Sequence, residues 1–121
     1  MDELVERLVA DVGIDRQVAE KAVGIILGFL VKEGPPDKVQ ALLAAMPGAE
    51  AVAAKANAQG GGLFGAMGGV MGAGTQLMAA GLSMGEVQSV TRAIIAFARE
   101  KAGEDKVDAI VGAIPGLSQF V

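Results

Sequence analysis

The sequence predicts an all-α fold, a compact helical bundle of two pseudo-symmetric helical repeats joined by a Gly-rich segment. Three observations carry that expectation. Apolar residues recur at helical spacing in window after window, and no stretch alternates as a half-buried strand would. Residues 13–53 recur without a gap 68 positions on, as residues 81–121. Gly13 matches Gly81, Ile26 matches Ile94, Phe29 matches Phe97, Asp37-Lys38-Val39 matches Asp105-Lys106-Val107, and Pro47-Gly48 matches Pro115-Gly116. Such self-similarity marks a repeated structural unit. Gly13 and Pro47-Gly48 punctuate the first copy where Gly81 and Pro115-Gly116 punctuate the second. At 121 residues the chain suits one domain, 1–121. Within it we read a first repeat at 1–57, a Gly/Met-rich connection at 58–74 and a second repeat at 75–121.

The first element spans 2–12. Leu4, Val5, Leu8, Val9 and Val12 form its apolar face, and Gly13 ends it as a left-handed cap. Asp15 is placed to cap a long helix over about 16–33, whose buried stripe is Val18, Ala22, Ile25, Ile26, Phe29 and Leu30. Gly34-Pro35-Pro36 breaks it, since Pro cannot continue a helix but can start one. The next helix, about 36–45, buries Val39, Leu42, Leu43 and Met46. Pro47-Gly48 stops it, and a short Ala-rich turn of helix follows to about 57.

The second copy repeats this grammar. Ser83 and Glu86 make a capping box for a helix over about 84–101, which buries Val87, Val90, Ile94, Phe97 and Ala98. Gly103 ends it. A helix over about 104–113 buries Val107, Ile110, Val111 and Ile114, and the tail 117–121 is apolar enough to dock. Two copies with matching apolar stripes bury them most readily against each other, so Phe29 and Phe97 are expected to meet near a pseudo-two-fold axis.

The middle segment permits three readings. Residues 56–85 carry no charge, and 59–74 hold Gly60, Gly61, Gly62, Gly65, Gly68, Gly69, Gly72 and Gly74. Each Gly costs a helix roughly 1 kcal/mol relative to Ala, which favours an irregular linker. The four-residue Gly spacings suit a close-packed helix instead, with Leu63, Phe64, Met67, Val70 and Met71 turned towards another subunit. The length and the G-x-x-x-G spacing also suit membrane insertion, but strongly lipophilic residues are few and no basic cluster flanks the run.

Composition narrows the chemistry. The chain has no His, Cys, Trp or Tyr, so no Ser-His or Cys-His catalyst can be built. No phosphate-binding G-x-x-x-x-G-K-[ST] loop occurs. A net charge of −4 with scattered Lys and Arg disfavours nucleic acid. Carboxylates are densest at Glu100, Glu104, Asp105 and Asp108, where acids in a first helical turn offset the helix dipole rather than gather a metal. We therefore expect no catalytic residue, no metal and no cofactor. The start Met1-Asp2-Glu3 lacks the basic and apolar regions of a secretory signal, so a cytoplasmic location is expected.

On the Gly13-Ile14 turn, the Met46-Pro47-Gly48 stop, the Gly-rich middle and the run Ala80-Gly81-Leu82-Ser83, the chain resembles the VcgC/VcgE-like bacterial domain-of-unknown-function family. The resemblance implies an all-helical fold and brings no activity or site residues with it. The expected role is a non-enzymatic helical interaction protein that self-associates or binds a protein partner through apolar surface near 63–71. Two alternatives stand beside it. One is a carrier of a lipid or other apolar small molecule in a cavity between the repeats, to which Met-rich surfaces adapt well. The other is a membrane-associated protein.

Overall fold

Helix ends fall where local backbone chemistry puts them. The computed structural model describes residues 2–46, 48–60, 69–114 and 116–120. Over these residues the chain is all-helical, with no strand. The helices are α1 (Asp2–Val12), α2 (Arg16–Glu33), α3 (Pro36–Ala45), α4 (Ala49–Gly60), α5 (Gly69–Ala79), α6 (Met84–Ala102) and α7 (Glu104–Ala113), followed by a 3-10 turn at Leu117–Phe120. Gly13 closes α1 at positive φ, its N–H donating to the Val9 carbonyl at 3.2 Å. Pro36 opens α3 in its first turn, where a missing N–H is harmless. The capping box of α6 is complete. The Glu86 N–H donates to Ser83 Oγ at 3.3 Å, and the Ser83 N–H donates to Glu86 Oε1 at 2.9 Å. Asp15 stands at the N-cap of α2 with extended backbone, but its side chain makes no capping hydrogen bond.

The core differs from the expected stripes in an instructive way. α3 and α7 bury the faces expected of them, Val39, Leu42, Leu43 and Met46 on one and Val107, Ile110, Val111 and Ile114 on the other. α2 does not have one buried stripe. From Ala22 to Leu30 every residue but Ile25 is buried, and Val18 and Ile25 are only half-buried. A helix apolar all round belongs at the centre of a bundle, and α2 packs against α1, α3, α4, α5 and α6. On α1 the face is narrower than expected. Leu4, Val5 and Leu8 are buried, Val12 is half-buried and Val9 is 37% exposed.

The long helices exchange their first-helix neighbours. α1 packs on α2 and on α6, while α5 packs on α2 and on α6. α3 lies against α7, and α6 against α7. The most extensive pairing among the described residues is α2 with α4. Both carry small residues on buried positions, Gly24 and Gly28 on α2 and Ala49 and Ala53 on α4, and small side chains let helix axes approach closely.

Two parts of the connection at 58–74 are helical. α4 runs on to Gly60, beyond the turn expected to end near 57, and α5 begins at Gly69. Gly69, Gly72 and Gly74 thus sit in a helix despite their poor propensity, and Gly72 is buried. Packing against α2 offsets the propensity cost, as tertiary contact commonly does. Among the described residues no helix is long and apolar enough to cross a membrane.

Candidate protein-interaction surface

Of the five residues proposed from sequence, Leu63, Phe64 and Met67 lie outside the described residues. Val70 and Met71 fall in the first turn of α5. The described part of this uncharged region continues through α5, a tight turn and the start of α6, and there the apolar surface becomes concrete.

Leu77 and Leu82 anchor the turn. The Gly81 N–H donates to the Met78 carbonyl at 3.1 Å and the Leu82 N–H to the Leu77 carbonyl at 3.2 Å. This is the Schellman pattern, and it requires a left-handed residue at the position Gly81 holds with φ 114°. Leu77 and Leu82 are both buried, as the apolar pairing that accompanies such a cap demands. Leu77 is turned inward, and the next residue on α5, Met78, is 49% exposed. Beyond the turn the capping box fixes the first turn of α6 and leaves Met84 at 66% exposure. Single exposed apolar residues are ordinary. Here two long thioether side chains flank one turn that ends an uncharged run.

No family model, curated protein or solved structure matches the chain. The site must therefore be judged on its own chemistry. Helical phase alone could not have found Met78, since it does not say how many faces of α5 are covered. Met84 was legible as the residue after the N-cap Ser83, a position that ordinarily faces water.

Several charged groups elsewhere pair with one another. Arg7 on α1 donates to Glu100 on α6 at 2.8 Å, and Lys101 lies 3.7 Å from Glu3. The Phe97 ring lies between these pairs, with the Arg7 guanidinium 5.3 Å and the Lys101 ammonium 5.4 Å from its centroid. Both distances suit cation–π attraction. Phe29, the residue expected to meet Phe97, is buried in the same apolar core. The Glu100 hydrogen bond is the first cause that raises the Arg7 pKa above its ordinary value. Of the carboxylates singled out from sequence, Glu100 and Asp108 are drawn apart by Arg7 and Arg99, the latter at 2.8 Å. Glu104 and Asp105 occupy the first turn of α7. Among the described residues no group of three or more acids is placed to hold a metal ion. Thr91, buried on α6, donates its hydroxyl to the Val87 carbonyl of its own helix at 2.8 Å.

Proposed function

We propose that this protein is a non-enzymatic helical interaction protein that self-associates or binds a protein partner. Its contact face is the apolar surface near 63–71, extended along α5 and over the following turn to Met78 and Met84. The observation that carries the proposal is the exposure of those two methionines at the end of a run without charge. An interface core favours Met and apolar residues and is poor in charge. The engagement of Glu100 and Asp108 by arginines supports the non-enzymatic part of the reading.

We read the scaffold as two pseudo-symmetric copies joined through the Gly-rich segment. Several features support this. α3 and α7 start and stop at positions 68 apart, and so do the starts of α2 and α6. Gly13 and Gly81, and likewise Gly48 and Gly116, share positive φ. Membership of the VcgC/VcgE-like family is part of the same proposal and rests on those turns.

Size exclusion coupled to light scattering tests the function. The wild-type chain is expected to run as a defined assembly in the absence of detergent, or to form one with its partner. Met84→Asp and Met78→Asp, alone and with Phe64→Asp, are expected to lower the assembled mass while far-ultraviolet circular dichroism stays helical. An unchanged mass in every one of these variants would remove the proposed face.

A further inference from the structure

We propose that Met78 and Met84 form a methionine-oxidation site, where peroxide converts the apolar face beside the α5–α6 turn into a polar one. The chain has no Cys, His, Trp or Tyr, so the thioethers of its methionines are its readily oxidised groups. Their reactivity follows access of the oxidant to sulfur. Met84 at 66% exposure and Met78 at 49% are open to it in the folded state, whereas Met46, the C-cap of α3, is 1% exposed.

The step is a two-electron oxidation. The sulfur lone pair attacks one oxygen of hydrogen peroxide, the O–O bond breaks, a sulfoxide forms and water leaves. Each sulfoxide adds a strong acceptor to a side chain that was apolar, and methionine sulfoxide reductases return it to the thioether. The backbone of the turn is left alone, because its hydrogen bonds run between main-chain groups and through Ser83 and Glu86. The modification therefore changes surface chemistry without removing a hydrogen bond that holds the turn. Only its consequence for association rests on the interaction reading above.

The test exposes the full chain to limiting hydrogen peroxide and follows each methionine by peptide mass mapping, with circular dichroism in parallel. Met84 and Met78 are expected to gain oxygen at least about tenfold faster than Met46, since Met46 must wait for local opening. Comparable rates for Met46 in a protein that stays helical, or no reaction at Met84 and Met78, would overturn the site. Binding of an apolar fluorescent dye reads the surface separately. It is expected to fall on oxidation of the wild type, to hold in the double variant Met78→Leu, Met84→Leu, and to recover with reductase. An equal fall in the double variant would assign the apolar surface to other methionines and defeat the inference. Light scattering of the unoxidised chain then judges the association reading independently. A monomer before peroxide sinks the self-association half of that reading and leaves the mapping result standing.

Discussion

Gly34 and Gly103 end their helices for different physical reasons. A Cβ on Gly34 would lie 2.7 Å from the Leu30 carbonyl oxygen and 2.7 Å from Val39 Cγ2, with Ile110 at 3.4 Å. Its φ of −84° is ordinary, so the requirement is space. Gly103 has φ 97° and ψ 149°, a region open almost only to Gly, and a Cβ there would meet nothing within 4 Å. Gly34→Ala is expected to cost about 1–3 kcal/mol through overpacking, and a larger residue to cost more. Gly103→Ala is expected to cost about 1–3 kcal/mol through backbone strain, with little increase as the residue grows. Chemical denaturation of Ala and Val variants at both sites checks this, and a Gly34→Ala variant as stable as the wild type would refute the space argument. The sequence marked both glycines as helix stops, because Pro35-Pro36 and the acids after Gly103 are local signals. It could not mark Gly34 as a close approach, since the tight contact depends on how the turn into α3 brings Val39 against it. Thr91 is similar. It stands where the first copy has Val23, also buried, and only the helix geometry shows that its hydroxyl is satisfied by Val87.

At the scale of the helix, α1 shows what kind of contact holds an element in place. Its inner face is Leu4, Val5 and Leu8, and its outer edge carries Glu3 and Arg7 to Lys101 and Glu100. The ion pairs are exposed, and exposed pairs contribute little. Leu8→Ala is expected to cost about 2–5 kcal/mol, as truncation of a fully buried leucine does. Arg7→Ala is expected to move the thermal midpoint far less, although it removes both the Glu100 bond and the contact over Phe97. Equal losses in the two variants would show that the ionic edge, not the apolar face, docks the helix. The helix periods of α1, α3, α6 and α7 were legible because each is amphipathic with clear caps. α2 was only half legible, for periodicity identifies one face and cannot announce that neighbours cover the others. The Gly-rich start of α5 was least legible, because propensity opposes a helix there and packing on α2 decides otherwise.

Across the whole molecule, cohesion comes from a continuous apolar core that runs from Leu4 to Leu117 and takes in every helix through α7. Among the described residues no charged side chain is part of the buried core, so thermal stability should respond weakly to salt. A midpoint that stays within about 5 °C between low salt and about 1 M sodium chloride, where screening acts over about 3 Å, is the expected result. A drop well beyond that would mean that charge holds the helices together. The all-helical class was legible in the sequence from the missing strand alternation and the repeated caps. Within the candidate surface Met84 was legible from its place after the N-cap Ser83, whereas the exposure of Met78 depends on which face of α5 the core covers. One further consequence belongs to the way a chain is made. Arg7 and Glu100, which meet across the α1–α6 contact, are 93 residues apart. At roughly 5–20 residues per second, α1 leaves the ribosome some 5–20 s before the helix that completes its cover. During that interval α2 is at hand to cover Leu4, Val5 and Leu8, and the side of α1 that α6 will cover stays open.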